Sequence, residues 1–149
     1  EVVVHPQSII HALVELSDGS VLGQFGFPSM ELPILYALTH PARVDDSGVR
    51  PFDLVAIGAL TFEVVRHDVF PAFHAGIAAG RTGGTAPAAF NAANEVAVAA
   101  FLGGRIPFGR ISEVIETTLS RHRPAAAASL DAVRTADAEA RSAAERLLG

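Results

Sequence analysis

Apolar and polar positions alternate in the first part of the chain and take on helical spacing after residue 62. From Ile9 to Leu16, a strand would place His11, Leu13 and Glu15 on one face and Ile10, Ala12, Val14 and Leu16 on the other. Ser17-Asp18-Gly19-Ser20 follows. Asp-Gly between two apolar runs predicts a hairpin, because glycine accepts positive φ. Val21 to Phe25 is the return strand. Val2-Val3-Val4 reads as a strand already under way, and Leu54 to Ile57 as a further short strand. Between them, Ser29 is placed to cap a short helix from Met30 to about His40, with Pro33 tolerated early and the His40-Pro41 step ending it. Arg43 to Pro51, with Asp45-Asp46-Ser47-Gly48, is a loop.

Four helical segments are expected beyond a connector at 63–68. The first runs from Pro71 to about Ala79, with Asp68 as a cap candidate, Phe70, Phe73 and Ile77 at helical spacing, and Gly80, Gly83 and Gly84 ending it. The second spans Ala86 to Leu102, with Thr85 as N-cap, Pro87 in the first turn and Gly103-Gly104 as stop. The third spans Phe108 to Arg121, with Phe108, Ile111, Ile115 and Leu119 on one stripe. The fourth spans Ser129 to Leu148, with Leu130, Val133, Ala140, Ala144 and Leu147 on one face. The expected class is α+β: a β-hairpin-containing segment (1–62), the connector, and a four-helix bundle (69–149).

Composition removes several chemistries. The 149 residues include no cysteine, so disulfides, thiol nucleophiles and Cys-ligated metals are excluded. Every one of the 11 basic residues is arginine, which excludes a Walker-type phosphate loop and a Schiff-base lysine. The net charge of −5 argues against a nucleic-acid face. No run approaches the roughly 18 apolar residues of a membrane span. A start inside a β-branched run leads us to expect a piece of a longer protein.

The remaining polar motifs have competing readings. His5 and His11 bracket Pro6-Gln7-Ser8, and each is a site histidine or a hydrogen-bonded histidine at a sheet edge. A metal site from His5, His11 and Glu15 is geometrically open. No G-x-S-x-G elbow surrounds Ser8, so a hydrolase pairing of Ser8 with His11 lacks its framework. Gly80-Arg81-Thr82-Gly83-Gly84-Thr85 precedes a helix and could cradle an anion, or could simply be a tight helix connection. Asn91, Asn94 and Glu95 lie inside a helix, where asparagine is poorly suited. They are a polar site or a tie to a neighbouring helix.

Taken in order, several blocks resemble one family. These are His5-Pro6-Gln7-Ser8-Ile9-Ile10-His11, Asp18-Gly19-Ser20-Val21-Leu22, Gly26 through Pro33, Ala59-Leu60-Thr61-Phe62, Gly84-Thr85-Ala86-Pro87, and Asn91 through Leu102. Together they resemble the 1-deoxy-D-xylulose 5-phosphate reductoisomerases, cytoplasmic oxidoreductases and isomerases of non-mevalonate isoprenoid biosynthesis. The resemblance implies NADPH and a divalent metal (manganese, magnesium or cobalt) in the intact enzyme, a sugar phosphate substrate and a homodimer. It also implies that residues 1–62 are the second part of a central α/β catalytic domain and 69–149 the C-terminal helical domain. The Gly-rich dinucleotide fingerprint, the acidic metal ligands and the phosphate-holding residues of that family lie upstream of Glu1, so neither cofactor is expected on this piece alone. His11 matches a histidine at the edge of the family's active site. Pro28 and Met30 match a loop closing near substrate and nicotinamide. At Phe27, Ser29 and Glu31 the family often has a polar residue, Asp and a basic residue. The hairpin from Ile9 to Phe25 matches the family's dimer surface. A non-catalytic dimerisation or scaffold module is the alternative.

Overall fold

The computed structural model describes residues 1–149. The chain divides into two compact units, Glu1–Val65 and Arg66–Gly149. The architecture is α+β: one two-stranded antiparallel sheet and six helices.

In the first unit, β1 (Ile10–Glu15) and β2 (Val21–Phe25) form the hairpin that the Asp-Gly turn predicts. Gly19 takes φ +84 in that turn. Asp18 Oδ1 accepts from the Ser20 hydroxyl at 2.6 Å and the Ser20 N–H at 2.9 Å. These two donors, the hydroxyl first, hold the Asp18 carboxyl below its ordinary range. The alternation predicted along β1 is interrupted once. Ile10 pairs with Phe25 but Ala12 with Gln24, so His11 is the extra residue of a β-bulge.

Two further expectations in this unit are corrected. Val2 to Val4 is no strand; Val4 and Glu63 make a single antiparallel bridge through mutual N–H···O bonds of 2.9 Å. Leu54–Ile57 is a helical turn, α2, and not a strand. Asp53 decides this: its Oδ1 accepts from Val55 N at 2.8 Å and Ala56 N at 3.2 Å, a cap that an apolar tetrapeptide read by itself does not reveal. The α1 helix (Glu31–Thr39) begins one residue after Met30, with Ser29 Oγ accepting from Glu31 N at 3.1 Å. Ile9 is the one buried apolar residue among positions 1–65.

The second unit holds the core. Its helices are α3 (Pro71–Thr82), α4 (Ala86–Leu102), α5 (Arg110–Arg121) and α6 (Leu130–Leu148). The α4 helix packs on α3, α5 and α6. Every buried residue of α4 is alanine (Ala86, Ala89, Ala92, Ala93, Ala97 and Ala100), and so is every buried residue of α6 (Ala136, Ala140 and Ala144). Small side chains on both faces let these axes approach closely, and α5 supplies the bulk through Ile111, Val114 and Ile115. Burying each of those three is worth about 1.5–3 kcal/mol.

Several helix details differ from expectation. The α3 helix runs on through Gly80 to Thr82, and Phe70, not Asp68, stands at its cap position. Its core-facing side is Ala72, Ala75 and Ala79, while Phe70 and Ile77 stay exposed. Gly76 explains the choice: a Cβ there would lie 3.2 Å from Phe90 Cζ, so α3 turns its smallest residues towards α4. The α5 helix starts at Arg110, and Phe108 lies exposed before it, edge-on to Phe101 with ring centroids 5.6 Å apart. Ser129 caps α6 through Ala132 N at 3.1 Å, while Leu130 stays exposed.

Candidate functional site

The resemblance singled out His11, Pro28 and Met30, and the structure places them in two regions of the first unit. The segment leading to His11 is laced to residues 61–63. His5 Nδ1 lies 2.8 Å from the Thr61 carbonyl, and the His5 ring stacks on Phe62 at 4.7 Å between centroids. Gln7 Nε2 donates to Thr61 Oγ1 at 2.8 Å, and Thr61 N donates back to Gln7 Oε1 at 3.2 Å. Ser8, at φ +52, closes a turn by donating its N–H to the His5 carbonyl at 2.9 Å. His5 therefore fixes the backbone entering β1. The bulge then re-aims His11, which is exposed and lines a hollow of about 330 Å³ with His5, Ile10 and Phe62. An exposed imidazole on a strand can exchange protons or hydrogen-bond a ligand.

Pro28 and Met30 lie on the loop between β2 and α1, and both are exposed, Met30 at 68%. Their neighbours Phe27, Ser29 and Glu31 line a separate cleft of about 420 Å³, closed on the other side by residues 44–52. Neither Pro28 nor Met30 lines that cleft, and His11 lines a different one. The Arg50 guanidinium sits 3.7 Å over the Phe27 ring, and Phe52 packs near both Phe25 and Phe27. Arg50 was not singled out from the sequence, because nothing in a polar loop announces which ring a guanidinium will cover. Asp46 in the same loop accepts from Gly48 N at 2.8 Å and so shapes the turn.

No three histidine, aspartate or glutamate side chains converge to hold a metal ion. The trio His5, His11 and Glu15 is thus not assembled. His5 Nδ1 is already committed to Thr61.

In the second unit, Asn91 Nδ2 donates to Glu95 Oε1 at 2.8 Å, and Arg141 of α6 reaches Glu95 Oε2 at 2.6 Å and Asp137 Oδ2 at 2.7 Å. Asn91 and Glu95 therefore tie α4 to α6, and Asn94 is half-buried beside them. The Arg141 hydrogen bond, then that from Asn91, lowers the Glu95 pKa, while Asp137 and Glu95 together raise that of Arg141. The Gly-rich loop before α4 is a helix connection. Thr85 is at the cap position but makes no side-chain cap bond. Its buried Oγ1 lies 2.9 Å from His122 Nε2 and accepts from Ala125 N at 3.1 Å, while its N–H donates to the Ala125 carbonyl at 2.9 Å. Ala125, in the connection between α5 and α6, is thereby clasped to the start of α4.

Residues 25–143 match the family model described as the DXP reductoisomerase C-terminal domain. The chain is 55% identical over 141 residues to a 1-deoxy-D-xylulose 5-phosphate reductoisomerase of Pseudomonas syringae pv. tomato, covering 95% of this chain and 35% of that one. It is 48% identical over 148 residues to that of Geobacillus kaustophilus, covering 99% and 39%. The fold matches the Zymomonas mobilis enzyme in complex with NADPH at a TM-score of 0.91 and 41% identity, over 98% of this chain and 38% of that one. It also matches a DOX-P reductoisomerase in complex with NADPH, fosmidomycin and magnesium at a TM-score of 0.85 and 35% identity, over 98% and 38%. The chain spans well under half the length of the relatives it matches. With a family model covering most of its length and a matching fold along nearly all of it, the chain belongs to the DXP reductoisomerase family.

Proposed function

We propose that this chain works as part of a 1-deoxy-D-xylulose 5-phosphate reductoisomerase. Such an enzyme isomerises and reduces its sugar phosphate to 2-C-methyl-D-erythritol 4-phosphate with NADPH, in cytoplasmic isoprenoid biosynthesis. The observation that carries this is the fold match over 98% of the chain to an enzyme of that name in complex with NADPH. On this reading residues 1–62 belong to the central catalytic domain, 63–68 connect, and 69–149 form the C-terminal four-helix bundle. His11, presented by its bulge, acts at the edge of the active site. Pro28 and Met30, exposed on their loop, cover the substrate. The present residues do not by themselves fit a metal or a dinucleotide: no acidic or histidine cluster of three exists, and no Gly-rich fingerprint follows a strand. NADPH, which supplies the hydride, and the divalent metal would be held by other parts of the enzyme.

The test is NADPH oxidation with 1-deoxy-D-xylulose 5-phosphate and manganese. It compares this chain with one extended upstream to the length of its relatives. Activity is expected only in the extended chain, and His11→Ala there lowers kcat by about 10²-fold or more if His11 moves a proton. Turnover by the 149-residue chain alone would contradict the division of labour. Inactivity of both would leave the scaffold reading.

Homodimerisation through the hairpin is the partner reading. It is favoured by the exposure of Leu13 (50%) and Val14 (57%), neighbours on opposite faces of β1, so that neither face of the sheet is covered. Sedimentation velocity is expected to give a dimer that Val14→Arg and Leu22→Arg shift to monomer. A monomer at all concentrations before substitution removes this reading.

A further inference from the structure

The second unit carries a cleft of about 410 Å³ lined by the last turn of α5, the residues just beyond it, and α6. Its charged lining is Arg121, Arg123 and Arg146 against Glu139. None of these four makes an ion pair, and Arg146 Nη1 donates to Ser142 Oγ at 2.7 Å. Three guanidiniums against a single carboxylate leave a local excess of positive charge in this cleft.

A second observation points the same way. Thr118, only 2% exposed, forms part of the cleft wall, and its hydroxyl has no hydrogen-bond partner. A buried hydroxyl left unpaired is costly, so the wall of this cleft carries an unmet polar group. His122 is already engaged with Thr85, and Ala140 and Ala143 leave room above the floor. The carbonyl end of α5 and the Glu139 carboxylate both oppose an anion. Three full positive charges with forked donors outweigh one carboxylate and a partial helix charge.

We propose that this cleft binds a phosphate group, either as free phosphate or as the monoester of a small molecule. Its volume is in the range of small-molecule pockets and leaves space beyond the phosphate itself. The site lies wholly within the second unit and does not depend on the enzymatic reading above.

The test is amide chemical-shift titration of the 149-residue chain at constant ionic strength, once with inorganic phosphate and once with glycerol 3-phosphate. Saturable shifts confined to residues 118–123 and 139–146 are expected. Tighter binding of the monoester identifies a small-molecule ligand, and equal binding identifies free phosphate. The double substitution Arg121→Gln with Arg146→Gln, both at exposed side chains, is expected to weaken binding at least tenfold while the rest of the spectrum stays unchanged. Thr118→Val weakens it several-fold and Thr118→Ser restores it. Absence of saturation, shifts centred elsewhere, or undiminished binding in the double variant overturns the proposal.

Discussion

Gly84 and Gly80 stand four residues apart and carry opposite expectations. Gly84 has φ +55, and a Cβ there would lie 2.2 Å from the Ala125 carbonyl oxygen, the atom that accepts the Thr85 N–H. Backbone cannot yield as a flexible side-chain end can, so Gly84→Ala is expected to cost at least about 2 kcal/mol. Gly80 lies inside α3 with nothing near its added Cβ, so Gly80→Ala is expected to stabilise by about 0.5–1 kcal/mol. Thermal unfolding of the two variants checks both signs, and an equal shift in the same direction would refute the clasp. Both residues read alike in the sequence, as helix-ending glycines. What separates them is Ala125, some 40 positions away, whose approach no local pattern encodes. Asp18-Gly19 was legible because its hydrogen bonds close within two residues.

At the scale of elements, hydrophobic spacing located α4, α5 and α6 to within two residues but chose some wrong faces. The large apolar residues Phe70, Ile77, Phe108 and Leu130 lie on the apolar stripes that spacing predicts, yet all are exposed. On α3, Ala72, Ala75 and Ala79 take their place, because packing on α4 rewards close approach more than side-chain size; on α6, Ala140 and Ala144 of the predicted face are buried. The Asn91–Glu95–Arg141 link between α4 and α6 gives a pH-dependent prediction. The folded-state pKa of Glu95 is depressed, so its contribution is present above its ordinary value of 4.5 and is lost as pH falls through the lower folded value. Glu95→Gln is therefore expected to flatten the drop in melting temperature below that pH and to have a smaller effect in high salt, since the pair is solvent-exposed. An unchanged acid slope would show that the ion pair does not favour the folded state.

At the scale of the whole molecule, burial is unequal between the two units. Residues 1–65 contribute only Ile9 to the buried apolar set, whereas residues 66–149 contribute Val114, Ile115 and the alanine faces. Local opening is governed by such burial. In the monomeric Val14→Arg, Leu22→Arg variant, amide hydrogen exchange is expected to be slow in α4 and α5 and fast throughout β1 and β2. Equal protection in both units would mean that the hairpin is covered in solution. The same inequality explains why the candidate site was only partly legible. His11, Pro28 and Met30 came from resemblance in sequence order. Whether they share a pocket depends on surfaces that the first unit leaves open, and the cleft that His11 lines includes neither Pro28 nor Met30.

By itself the sequence determined the hairpin, the existence and spans of the long helices, the absence of thiol and lysine chemistry, and the family. These follow from turn chemistry, periodicity, composition and motif order, all of which act over a few residues or need no structure. Tertiary structure decided the bulge at His11, the helical turn at Leu54–Ile57, the alanine faces of α3 and α4 and the Thr85–His122–Ala125 clasp. In the bulge, the core faces and the clasp, the deciding partner lies on another segment of the chain, so its energy enters only once that segment has been folded into place.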